Sequence, residues 1–141
     1  MRLWHQKLIK YLPRQQLLGQ HRECCALRGN GWGRKHATVN YVFTHNPALL
    51  VAYHYKVMEE MKRRGYKPDT IWLCCDYRGS TLGYTQPFEF CDNILLQAYV
   101  NNDDIIYPEH NDDYLQECLD NLKSKGIEIE SEELLCGKKN Q

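Results

Sequence analysis

No stretch of this 141-residue chain approaches the run of ~20 apolar residues that a membrane span needs. The opening MRLWHQKLIK also lacks the sustained apolar core of a signal peptide, so the protein is expected in the cytoplasm and away from membranes. Repeats, low-complexity linkers and any sign of a second domain are missing as well. One domain over residues 1–141 is the resulting expectation, long enough for a real core. The seven cysteines are an odd number, none stands in C-x-x-C spacing, and no H-x-x-x-H pair accompanies them. The pairs Cys24-Cys25 and Cys74-Cys75, with six histidines, bring zinc into consideration. On a helix, however, Cys25 falls four residues after His21 on a stripe with Leu17 and Leu18. Buried free thiols in a reducing compartment are the favoured account, with no metal and no other cofactor.

Acidic residues are nearly missing from the first part of the chain. Glu23 is the only one before Glu59, against nine lysines and arginines in the first 58 residues. The formal net charge of zero hides this: residues 1–68 carry +10 and residues 69–141 carry −10. A surface shaped only for solubility mixes its signs. Such asymmetry reads as a basic functional face with an acidic remainder. The competing reading is two solvated charge runs that pair with each other in the folded protein.

What is present reads as mainly α, a compact fold of three principal helices joined by long irregular segments. The first helix is expected from about Pro13 to Leu27, with Pro early and Gly29 as its stop. The second begins at Asn46-Pro47, a cap followed by Pro at the first helical position. Its apolar stripe is Leu50, Tyr53, Val57 and Met61, and it closes on KRRG, cations at the negative end of the dipole. The third starts at Asn111-Asp112-Asp113, buries Leu115, Cys118, Leu119 and Leu122, and stops at Gly126. Leu17, Leu18, Leu50, Tyr53, Val57, Leu115, Leu119 and Leu122 are the expected core. Residues 68–110 read as one long, aromatic-rich connection, where IWLCC fits a short strand and ILLQAYV fits a strand or a helical turn.

Glu23 lies about 140° from Leu18 and about 240° from Leu17 around a helix, so it is expected to point away from the core. Its stripe neighbours, Gly19 and Ala26, are small and leave room for something to lie against it. Arg22 and Arg28 flank it and supply positive potential. A carboxylate so placed stays ionised and is able to polarise a substrate or take a proton. An ordinary exposed glutamate paired with an arginine fits the spacing equally well. The loop GNGWGRKH follows the helix, where a Rossmann phosphate loop would follow a strand. Trp32 beside Arg34 and Lys35 suits a nucleic-acid backbone, the aromatic free to stack or wedge; a tryptophan that closes the core fits almost as well.

QQLLGQHRECCALRG resembles the first helix of the phage pyrimidine-dimer DNA glycosylases of the endonuclease V type, with Arg22-Glu23 at the position of their Arg-Glu pair. NPALLVAYHYKVMEEMKRRGY is similar to their second helix, and Arg78-Gly79 and YPEH at Tyr107 to His110 are weaker echoes. The resemblance covers roughly the first two-thirds of the chain. It implies a metal-independent DNA repair glycosylase with AP-lyase activity, acting as a monomer on damaged or abasic double-stranded DNA. In that family the N-terminal amine attacks C1′ of the damaged nucleotide and forms a Schiff base, and the glutamate stabilises the cation and assists β-elimination. The implied catalytic groups here are the amine of Met1 and the carboxylate of Glu23. The implied DNA contacts are Arg2, Gln15, Arg22, Arg28, Trp32, Arg34 and Lys35. The family pattern begins Met-Thr-Arg and loses its Met; this chain begins Met1-Arg2, so Met1 is expected to be retained. A family arginine is replaced by Ala26, and the family's aromatic, basic tail by EELLCGKKNQ. A non-catalytic DNA- or RNA-binding module on the same scaffold is the alternative, and a small interaction protein whose acidic half docks a basic partner is a third reading.

Overall fold

The computed structural model describes residues 2–29, 39–84 and 102–129. Three α-helices dominate: α1 is Arg14–Arg28, α2 is Pro47–Arg63 and α3 is Asp112–Ser124. Shorter 3-10 turns form at Gln6–Tyr11, Asn40–Phe43 and Thr70–Leu73, and no strand occurs among the described residues. IWLCC is therefore a turn and not a strand; ILLQAYV lies outside the described residues.

The helix ends follow from local chemistry. Asn46 accepts from the Ala48 N–H at 2.9 Å, and Asn111 accepts from the Tyr114 N–H at 2.9 Å, so α2 and α3 each start on a side-chain cap. Asp112 and Asp113 then sit in the first turn of α3, where the dipole favours acids. Helix α1 starts at Arg14 and ends at Arg28, each one residue later than expected, and Pro13 stands at its cap position with no side-chain bond. Its end is set by Gly29, where an added Cβ would lie 2.9 Å from the Arg78 carbonyl oxygen. Only glycine admits that approach.

Helix α2 is the centre of the core. Six consecutive residues, Leu49 to His54, are all buried, so this helix is covered on several sides and not along one stripe only. Leu17 and Leu27 of α1 and Leu115, Cys118 and Leu122 of α3 join the same cluster. Leu18, expected in the core, is half-buried and packs at its edge.

The N-terminal segment is inside the fold. Leu3 and Trp4 are buried, and a polar side chain from each helix grips their backbone. Gln20 of α1 accepts from the Trp4 N–H at 2.7 Å, Tyr53 of α2 donates to the Trp4 carbonyl at 2.5 Å, and Tyr114 of α3 donates to the Leu3 carbonyl at 2.5 Å. Buried backbone groups need such partners, and here they fix where the chain begins.

Candidate active site

Glu23 projects from the middle of α1 toward that segment. Its Oε2 accepts from the Gln20 side-chain amide at 3.1 Å and faces the Arg2 backbone N–H at 3.4 Å, a long contact. The carboxylate is half-buried rather than on a bare stripe; the object lying against it is the protein's own N-terminal segment. Burial raises the Glu23 carboxyl above its usual range. The Arg2 amide, the charge of the amino terminus, the Lys125 ammonium and the Gln20 amide all oppose that rise. The group thus sits in a partly desolvated setting where nearby charges act strongly.

Arg2 directs its guanidinium toward α3. It lies 5.8 Å from the centre of the Trp4 ring and 5.8 Å from that of Tyr114, with Nη1 4.0 Å from the Glu117 carboxylate. Lys125, just past α3, places Nζ 5.4 Å from the centre of the Trp4 ring. Gln15 and Arg22 are exposed on the neighbouring stripe of α1. Arg22 Nη2 lies 3.8 Å from where a Cβ at Gly19 would sit, so the guanidinium folds back along the helix. Met1, Trp32, Arg34 and Lys35 lie outside the described residues.

Arg28 departs from the expectation of a surface cation. It is 0% exposed and lies over Trp72, 5.1 Å from the ring centre. Its Nη1 donates to the Trp72 carbonyl at 2.8 Å and its Nη2 to the Cys74 carbonyl at 2.7 Å. This arginine closes the fold beneath the end of α1 and has no surface open to solvent.

His21, Cys25 and His54 bring three ligand-type atoms within 4.8 Å of one another. His21 Nδ1 is 2.8 Å from His54 Nε2, and the Cys25 sulfur is 3.9 Å from each Nε2. Arg28 argues against a cation there. Its Nη1 is 3.0 Å from His54 Nδ1, and a guanidinium only donates. His54 Nδ1 must therefore accept, which puts the proton on Nε2, aimed at His21. A metal-bound imidazole has the reverse arrangement, donating from its remaining nitrogen. Burial holds His54 well below the usual histidine range and lowers His21, while burial pushes the Cys25 thiol up to about 12. Within the trio the two imidazoles form a hydrogen-bonded pair, and burial favours the neutral form of both rings and of the thiol beside them.

Of the residues singled out in the sequence, the fold brings together Glu23 and Arg2, leaves Gln15 and Arg22 on the adjoining surface, and buries Arg28. Sequence reasoning passed over Gln20 and Lys125. Gln20 carried one signal, its place three residues before Glu23 on the same helix face.

A protein-family model described as pyrimidine dimer DNA glycosylase matches residues 1–73, which span the N-terminal segment, α1, α2 and the Thr70–Leu73 turn. No curated protein and no solved structure matches the chain. The matched part holds the residues that build the Glu23 corner from α1, α2 and the chain start, and the protein belongs to the pyrimidine dimer DNA glycosylase family of DNA repair enzymes.

Proposed function

We propose that this protein excises damaged pyrimidines, pyrimidine dimers by its family, from double-stranded DNA and then cuts the abasic strand as a lyase. In this reading residues 1–141 are one domain that acts as a monomer in the cytoplasm and uses no metal or other cofactor. The nucleophile is the α-amine of Met1. An α-amine has an ordinary pKa of ~7.7–8.0, so a useful fraction is neutral at physiological pH. Its lone pair forms the N–C1′ bond, and the glycosidic bond breaks with its electron pair going to the departing base. Opening of the sugar leaves a protonated Schiff base at C1′. Removal of a proton from C2′ then expels the 3′ phosphate and breaks the strand.

Glu23 has two tasks on this path. Its negative charge stabilises the iminium cation, and its carboxylate moves protons during ring opening and β-elimination. The observation that carries the reading is the position of this carboxylate, half-buried and 3.4 Å from the amide that joins the first two residues of the chain. Burial raises its proton affinity toward the working pH, which makes it a stronger base.

Borohydride trapping on an end-labelled abasic duplex tests the proposal. The expected result is a covalent protein–DNA adduct that disappears when the N-terminal amine is acetylated beforehand. No adduct with the native protein, or an adduct that survives acetylation, overturns it.

A further inference from the structure

Gln20 is 1% exposed and is the point where the N-terminal segment, α2 and the Glu23 carboxylate meet. Its Nε2 donates to the Arg2 carbonyl at 3.0 Å and to Glu23 Oε2 at 3.1 Å. Its Oε1 accepts from the Trp4 N–H at 2.7 Å and from the Tyr53 hydroxyl at 2.9 Å. The Tyr53 proton is shared, since the same hydroxyl lies 2.5 Å from the Trp4 carbonyl. The two amide donors and both acceptor positions are thus in use. The orientation follows from the partners. Turned over, the NH2 group would face the Trp4 N–H and the carbonyl would face the Arg2 carbonyl, two contacts between like groups.

From this geometry we infer that Gln20 is a positioning residue of the reaction: it aligns the first residues of the chain against Glu23 and holds that carboxylate ionised and correctly turned. The inference rests on the Schiff-base reading above. Gln20 touches no reacting atom; it acts through the backbone of Arg2 and Trp4 and through Glu23. A bond donated to the charged form of an acid favours that form. The same amide grips the chain on both sides of Leu3 and also bonds Glu23, so among the side chains that hold this segment it is the one that ties it directly to the carboxylate. Small misplacements of reacting groups are costly, which gives such a clamp catalytic weight. The other groups acting on Glu23 are the Arg2 amide and the amino-terminal charge from the segment in front and Lys125 from beyond α3; Cys24 of its own helix lies close enough to feel the carboxylate's charge.

Two variants separate positioning from mere support of the fold. Gln20→Met keeps length and burial but removes the donor to Glu23. The acid limb of the pH–rate profile for abasic-strand cleavage is expected to move up by about one pH unit, the scale of one hydrogen bond to a charged group. The expected kcat falls about tenfold in the acid range, with KM for DNA little changed. Gln20→Glu keeps the acceptors for Trp4 and Tyr53 and sets a second carboxylate against Glu23. Two such groups do not both ionise readily, so the acid limb moves up further, even if the methionine variant folds poorly. Val57→Ala, a cavity in α2 away from the site, supplies a destabilised control whose acid limb stays in place. Carbon NMR of the Glu23 carboxyl gives the same comparison without turnover, Gln20→Met titrating at higher pH than the native protein. Unmoved acid limbs in both variants, or an unmoved Glu23 titration, overturn the inference. Failure of the native protein to trap on abasic DNA is a different result: it removes the Schiff-base reading, and a raised Glu23 titration then still assigns Gln20 its hold on that carboxylate.

Discussion

Helix α1 carries a charged side chain into each of two polar clusters, and the two are built in opposite ways. At Glu23, both donors found among the described residues fall on one carboxylate oxygen, Oε2, and the group is half-open to solvent. At Arg28, the guanidinium is sealed between Trp72, two carbonyls and an imidazole. A carboxylate has about four acceptor positions, so Glu23 keeps capacity to meet a substrate, while Arg28 turns both terminal nitrogens onto the protein and is closed off from solvent. Charge along a helix therefore does not reveal which residue acts. Under the proposed function, what sets Glu23 apart is free acceptor capacity at a partly desolvated surface.

The comparison breaks most visibly at Glu23. Glu23→Gln retains shape and the contact to Gln20 but loses the negative charge and the base. Cleavage of abasic DNA is expected to fall ~10²–10⁴-fold, the usual scale for loss of a general acid–base. DNA affinity stays or tightens slightly, because a negative charge has left a basic surface. Rates at saturating DNA, with affinities measured alongside, check both parts. Cleavage at the native rate would return Glu23 to an ordinary helix glutamate.

Arg28→Met is the counterpart, and its effect belongs to stability. Two partly buried carbonyls and the buried His54 ring nitrogen lose their donor, while the cost of burying a cation also disappears. The net loss is expected to be about 2–4 kcal/mol, seen as a lower urea midpoint with an unchanged slope. Cleavage per folded molecule falls far less than in Glu23→Gln. A variant as stable as the native protein would show that the Arg28 corner does not hold the fold.

These two residues also mark how far the sequence could be read. The helix boundaries were legible because their signals are local: Asn46-Pro47, Asn111 with two aspartates, Gly29 and Gly126 each act within one turn. Glu23 stood out because it was alone among cations. Arg28 was misplaced because counting signs treats every arginine as solvated, and its partners Trp72 and Cys74 lie more than forty residues away. Gln20 and the buried N-terminal segment had the same difficulty. Leu3 and Trp4 in an extended segment carry no periodicity, and the bonds from Gln20 to Arg2 and Trp4 cross 18 and 16 residues. Long-range polar pairing leaves no trace in a window that detects helices.

The smallest effect sharpens the contrast between a buried and an exposed arginine on one helix. Arg22 is exposed, six residues before buried Arg28, and stands on the face beside Glu23. If it meets a phosphate, Arg22→Ala weakens DNA binding about equally on every sequence. It also lowers the slope of log affinity against log salt by about 0.9, the share of one released counterion. Arg28→Met leaves that slope where it was, because a cation enclosed by carbonyls and an imidazole has no condensed counterion of DNA to displace. Affinities of both variants between low and physiological salt, on matched duplexes with and without an abasic site, read the difference directly. Equal slopes for Arg22→Ala and the native protein would move the DNA path off this stripe of α1, and the phosphate contacts would then have to come from elsewhere in the basic half.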